Sequence, residues 1–363
     1  MKKFIVFVVL VVLLISLNYN CNKYIPPLCK NETHIIVYDL RGDQYALIDN
    51  QTYDIVRTEK INIPDSLYIR SKCLSSNKEN IILIANVAQP NNDLYCLQYN
   101  IESDTITNVF CTNINSSKPP RLHPIEESTG ILMYTETSGM DIINYETGEV
   151  EFISDEVGYP KEIFKSKFDD IVIITNYYGS ALGSYTDFSI YYDSNFYEPS
   201  AIVNINDCDS VNIKDISFSE NGGRIFISYL LSDNKAIFQS AFFGSYNLST
   251  LEKDSSYITL PWSTYPYQIA YNQKYKECYL TGFDERIYIV NTDTNHYVIE
   301  DTLELNGYSN TYSNFLIHPN KEILFVNSVY YNTINVIDIK NRAVIDTINV
   351  NFPLIMENIN LGE

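Results

Sequence analysis

The sequence is short of positive charge. It holds 25 Lys and Arg against 45 Asp and Glu, a formal net charge of −20 at pH 7. That deficit argues against nucleic-acid binding, which needs a basic footprint. The acidity reads as a solubility device. Histidine is scarce, with four in the chain. His123–Pro124 and His318–Pro319 take equivalent turn positions in the repeats described below, so they read as punctuation more than as catalytic bases; His34 and His296 complete the set. No GxSxG elbow and no HExxH pair occurs, so no nucleophile or zinc-protease motif is present. No CxxC or Cys/His spacing suggests zinc. Asp207, Asp209 and Asp215 offer oxygens to calcium, but their spacing fits no known calcium loop, and a solvated acidic loop is the preferred reading. The sequence therefore implies no metal and no cofactor.

Long apolar runs are missing too, outside the N-terminal segment. Phe4–Leu17 follows Lys2 and Lys3 and is too short to span a bilayer comfortably, which is the layout of a secretory signal over residues 1–20. Removing that segment takes the net charge from −20 to −22, since Lys2 and Lys3 are its only charges. Cys21 follows at once and resembles the lipidated cysteine of bacterial lipoproteins. That pattern wants Leu three residues ahead and small residues between. Here Asn18, Tyr19 and Asn20 precede the cysteine and Leu17 stands one place early. Residues 21–33, with Pro26–Pro27, form a tether, and 34–363 the folded domain. Beyond Cys21 the cysteines are Cys29, Cys73, Cys96, Cys111, Cys208 and Cys278. Cys96 and Cys111 lie equidistant from a turn near Ser103–Asp104 and would face each other across a hairpin. They are either a cross-strand disulfide or, the preferred reading, two packed thiols.

What the chain does have is one short pattern, clearest in Ile323–Val350. ILFVNS is a strand of nearly continuous apolarity, as expected when both faces are covered. TINVIDI alternates: Ile334 and Val336 point one way, Ile337 and Ile339 the other. In AVIDTINV, Val344, Ile348 and Val350 share a face. Three such strands cannot bury their own faces and need neighbours, so a repeat is expected. Equivalent first strands begin near Ile35, Ile81, Ile131, Ile171, Ile225, Cys278 and Ile323, at a spacing suited to propeller blades. A further short segment precedes most repeats, such as SFSENGGR and FLIHPNKE. It would be the innermost strand of a four-stranded blade. The first repeat lacks one and the chain end has a spare, PLIMENINL. The sequence thus predicts an all-β, seven-bladed β-propeller of four-stranded antiparallel blades, its ring closed by the C-terminal strand joining the N-terminal blade.

The last repeat resembles the YVTN-type β-propeller repeat. His318–Pro319–Asn320–Lys321 stands at its turn, Phe325–Val326–Asn327 at its first strand and Val336–Ile337–Asp338 in its second. The other repeats match in pattern more than in letters. Members of that family are often cell-surface proteins, so the resemblance implies an exported protein of the cell envelope acting as a binding or scaffold module. The alternative it allows is a propeller enzyme of the lactonase or quinoprotein-dehydrogenase type.

Aromatics are dense, with 31 Tyr. Tyr177, Tyr178, Tyr185, Trp262, Tyr265, Tyr267, Tyr308, Tyr312, Tyr330 and Tyr331 read as falling in connections. An aromatic, acidic mouth could take a protein, peptide or carbohydrate. The competing and preferred reading is that Tyr simply suits strands and their ends. Expected partners are therefore a ligand at the propeller face, a membrane through a lipid on Cys21, and no nucleic acid. Sequons at Asn31, Asn50, Asn115 and Asn247 matter mainly in a eukaryotic secretory route.

Overall fold

The computed structural model describes residues 34–357 apart from 40–41, 76–78, 88–92, 116–119, 127, 134–138, 155–158, 167–170, 178–186, 193–195, 197–198, 206–210, 220–222, 233–237, 262–265, 267, 283–285, 294–295, 306–314, 319–320, 329–331 and 353. These residues form seven four-stranded antiparallel sheets and no helix.

Blade 1 takes β1 (His34–Asp39), β2 (Gln44–Asp49) and β3 (Ile55–Lys60). Blade 2 is β4 (Leu67–Leu74), β5 (Asn80–Val87), β6 (Asp93–Asn100) and β7 (Thr105–Asn115). Blade 3 is β8 (Arg121–Pro124), β9 (Thr129–Met133), β10 (Met140–Asn144) and β11 (Val150–Ser154). Blade 4 is β12 (Tyr159–Lys165), β13 (Ile171–Tyr177), β14 (Asp187–Tyr192) and β15 (Ala201–Asn204). Blade 5 is β16 (Val211–Phe218), β17 (Arg224–Ser232), β18 (Phe238–Asn247) and β19 (Glu252–Leu260). Blade 6 is β20 (Gln268–Asn272), β21 (Glu277–Thr281), β22 (Arg286–Asn291) and β23 (Val298–Glu304). Blade 7 is β24 (Phe315–Ile317), β25 (Ile323–Ser328), β26 (Thr333–Asp338) and β27 (Ala343–Asn349). The last strand, β28 (Leu354–Glu357), joins blade 1 as the neighbour of β1, pairing Ile36 with Glu357 and Asp39 with Leu354. The closure expected from the sequence is therefore present. Inner strands touch in succession, β4 on β8, β16 on β20, β20 on β24 and β24 on β28. The result is the seven-bladed propeller.

The cores lie between blades, and blade 7 shows why. Side chains of β25 alternate across the sheet. Ile323 and Phe325 join Ile334 and Val336 against Ile35, Val37 and Ala46 of blade 1. Leu324 and Val326 join Ile337 and Ile339 against Tyr279 and Ile289 of blade 6. Covering both faces explains the unbroken apolar run, each side chain contributing about 1.5–3 kcal/mol on burial. One detail of the sequence reading is corrected here. Val344 packs on the blade 6 side while Ile348 and Val350 pack on the blade 1 side. A bulge between the Val336 and Ile337 pairs inserts Ile345 into β27 and flips the face.

Candidate functional site

The two ends of the ring are built differently. At one end lie the turns from inner to second strand and from third to outer strand. Six of the latter share one device. Asp49, Asn100, Asn144, Asn247, Asn291 and Asp338 close the third strands, and each side-chain oxygen accepts backbone N–H groups two or three residues on. Four residues after five of them comes a left-handed residue: Tyr53, Asp104, Gly148, Leu251 and Arg342. In several blades this residue meets the preceding blade. Arg57 of β3 donates to the Ile101 carbonyl at 2.7 Å and lies 3.5 Å from Asp104. A Cβ on Gly148 would run into Phe110 of β7. Arg342 pairs with Glu300 and Asp301 of β23 at 2.9 and 3.3 Å. Several polar groups of this end thus hold blade to blade, while others close their own turns.

At the other end lie the connections from second to third strand and from each outer strand to the next blade. In an antiparallel meander these leave from the same side. They include 305–314, 178–186 and 261–267, three of the four longest in the ring, the fourth being 193–200 at the first end, together with 329–332. Of the aromatic candidates, Tyr177 is the last residue of β13, paired with Tyr159, so it belongs to a strand and not to a connection. Its β-propensity is satisfied by the ladder. Tyr178, Tyr185, Trp262, Tyr265, Tyr267, Tyr308, Tyr312, Tyr330 and Tyr331 lie outside the described residues, as do Cys21, Asp207 and Asp209.

Cys96 and Cys111 are not a disulfide. Both are free thiols, Cys96 buried and Cys111 exposed. The hairpin pairs Cys111 with Tyr95 and Cys96 with Phe110, because its turn is closed by Asn100 and Thr105 and one extra residue, Thr107, enters β7 between the turn and Cys111. A one-residue slip sends the two side chains to opposite faces. They are not packed on each other either. Burial pushes the Cys96 thiol up to about 12.

The two His-Pro pairs are also not equivalent. His318 follows β24 and its N–H bonds the Ile323 carbonyl at 2.9 Å. The counterpart in blade 3 is Ile125, whose N–H bonds Thr129, and His123 sits two places earlier, inside β8. Burial, with Lys321 nearby, lowers the His318 pKa to about 4. Its Nδ1 accepts the Lys321 N–H at 2.9 Å. Asp215 is a stitch between blades: its carboxylate takes the N–H of Ile269 at 2.6 Å. Ser71 does the same for Leu122 at 3.0 Å, from the matching place in blade 2. Each caps an N–H on an inner strand that no ladder partner reaches. Lys72 adds a further stitch, donating to the Gly42 carbonyl of blade 1 over the Tyr38 ring; burial lowers its pKa to about 8 against the pull of Asp39 and Asp43. Asn50 is 1% exposed, so its sequon is closed to a glycan. Among the described residues no three His, Cys, Asp or Glu side chains converge as metal ligands do.

The sequence reading missed the outer-turn device, although its letters recur: NYETG at Asn144, NLSTL at Asn247, DNQTY at Asp49. An Asx residue with Ser or Thr three places on was the available signal.

No family model matches the chain, and no curated protein matches it. Solved structures do. Hydrazine synthase of Kuenenia stuttgartiensis is 11% identical, covering 91% of this chain and 100% of that one at a TM-score of 0.60. Dihydro-heme d1 dehydrogenase NirN is 8% identical, covering 95% and 79% at 0.57. Apo AztD from Citrobacter koseri is 11% identical, covering 89% and 96% at 0.51. At these identities the likeness is one of fold, and a fold hosts many functions.

Proposed function

We propose that the protein is an exported binding module of the cell envelope, held at a membrane by a lipid on Cys21, that engages a protein, peptide or carbohydrate through one end of the ring. The observation that carries this reading is the contrast between the ends. One end is made, 193–200 apart, of tight turns, several of whose side chains make blade-to-blade contacts. The other bears the long connections 178–186, 261–267 and 305–314. Their sequences hold Tyr178, Tyr185, Trp262, Tyr265, Tyr267, Tyr308 and Tyr312, and 329–332 adds Tyr330 and Tyr331. Recognition residues concentrate on loops borne by a rigid frame, and Tyr and Trp are favoured there. The N-terminal layout and the YVTN-like last repeat favour the cell surface.

Two measurements test it. Mass spectrometry of the mature N-terminus finds a diacylated Cys21 if the anchor is right; an unmodified chain starting elsewhere rejects it. Glycan and peptide arrays are probed with the protein and with a variant carrying Trp262→Ser, Tyr265→Ser, Tyr308→Ser and Tyr330→Ser. Loss of every array signal in the variant supports this end as the binding surface. A signal that the four substitutions leave intact places recognition elsewhere.

A further inference from the structure

The outer strand of a blade has one edge with no ladder partner, and such edges are guarded by bulges, by charges or by both. Among the described residues, six of the seven outer strands follow that rule. The pairing of β3, β7, β11, β19, β23 and β27 with the strand inside each is broken by a register shift. Five of the six also carry charge, from Arg57, Glu59 and Lys60 in β3 to Asp346 in β27. The sixth, β7, has no charge but is broken twice. β15 has neither guard. Its residues Ala201–Asn204 pair with Ile190, Ser189, Phe188 and Asp187 without a shift, and none of them is charged. It is the last strand of its sheet, in the order β12-β13-β14-β15.

A regular edge turns the N–H and C=O of alternate residues away from the ladder, as a template for another strand. This one is anchored from behind. Val203 is buried in the core between blades 4 and 5 with Ile173, Phe188 and Ile227, while Ile202 is 56% exposed. An extended chain laid along the edge gains main-chain hydrogen bonds, and Ile202 offers an apolar neighbour to the residue opposite. Charge selects the occupant. From Asp187 to Ile213 the sequence carries five acids, Asp187, Asp193, Glu198, Asp207 and Asp209, and no base. A second copy would bring the same acids to the same edge and be repelled. A segment with a β-branched middle and Lys or Arg at its ends matches both the uncharged strand and the acidic chain on either side of it.

We propose that β15 is a docking edge, at which an extended, basic-ended peptide segment of a partner protein adds a fifth strand to blade 4. The edge belongs to an outer strand and not to the long connections of the binding end proposed above, so either reading can fail without the other.

Calorimetric titration of the full-length protein with the peptide Lys-Lys-Thr-Val-Thr-Val-Thr-Val-Lys-Lys at low ionic strength tests it. One site is expected, with a dissociation constant below about 1 mM and weakening as salt rises. Amide exchange read by mass spectrometry slows in the segment holding Ala201–Asn204 and in no other outer strand. Ile202→Lys supplies the missing guard and weakens binding about tenfold. Val298→Lys, at a comparably exposed place on the guarded β23, leaves binding within about twofold. Should Ile202→Lys lose thermal stability, the same peptide N-methylated throughout its Thr and Val residues decides on the unaltered protein. It keeps the charges and loses the donors, and is expected not to bind up to about 10 mM. The proposal is overturned if the first peptide does not bind up to about 10 mM, or if its N-methylated or Glu-ended form binds as tightly. Protection on another strand or on none also overturns it, as does a dimer in sedimentation that Ile202→Lys separates, since a second copy would then be the occupant.

Discussion

Arg342, in the outer turn of blade 7, reaches back to Glu277 in the second strand of blade 6, its Nη2 2.8 Å from Oε1. The Glu277 side chain is only 8% exposed, and its other oxygen accepts the Tyr279 hydroxyl at 2.8 Å. Arg342 holds its left-handed backbone conformation, φ 51°, while making this contact. A residue of the turn thus neutralises a charge buried in the neighbouring blade.

Arg342→Ala leaves that carboxylate buried with Tyr279 as its remaining partner. The expected loss is about 3 kcal/mol in urea unfolding, because breaking a buried pair costs more than the pair contributes. Adding Glu277→Gln should recover much of it. A loss near 0.5 kcal/mol would reduce the contact to an ordinary surface ion pair.

Gly148 and Leu251 occupy the same place in two outer turns and predict opposite effects. Gly148→Ala sets a Cβ against Phe110 at φ 72° and is expected to cost about 2 kcal/mol. Leu251→Gly relieves a left-handed leucine at φ 58° that is 37% exposed, and should be neutral or stabilise by up to about 1 kcal/mol. Chemical denaturation of both variants decides. Equal destabilisation would mean that the turn conformation is not the controlling factor.

Deleting residues 354–363 removes β28 and exposes the edge of β1. Four ladder pairs are lost. At roughly 1 kcal/mol each, with the ring opened as well, stability should fall by about 4 kcal/mol or more. An unchanged thermal transition in the truncated chain refutes the closure.

The imidazole of His318 has its pKa lowered to about 4, from 6.5, by burial and then by Lys321. The unfolded chain binds the proton more tightly, so this group's contribution is complete above about 6.5 and is lost as pH falls from there to about 4. Calorimetry between pH 7 and 5 should show a shallower fall of Tm in His318→Gln than in the parent. Parallel curves would remove His318 as a cause.

Thiol labelling followed by peptide mapping should modify Cys111 in the native protein and Cys73, Cys96 and Cys278 only after unfolding. A Cys96–Cys111 crosslinked peptide from unreduced protein would reverse the correction made above.

The blade pattern was readable because burial on both faces leaves an apolar signature, as in ILFVNS, and because one repeat lacked a strand that the chain end could supply. Facing directions were less readable. Val344 changed sides through one extra residue, and Cys111 lost its expected partner through a register slip. A bulge leaves no composition signal, since it is a property of pairing and not of letters.

The pairing of Ile36 with Glu357 also sets a schedule. A chain made from its N-terminus presents β1 early, with its inner edge open, and obtains the missing strand only after six other blades have been synthesised. Contacts so distant in sequence are slow to form. Through that interval β1 is an unpaired template for any extended segment nearby. That edge stays open until β28 arrives, so the ring shuts only when the last strand of the chain is made.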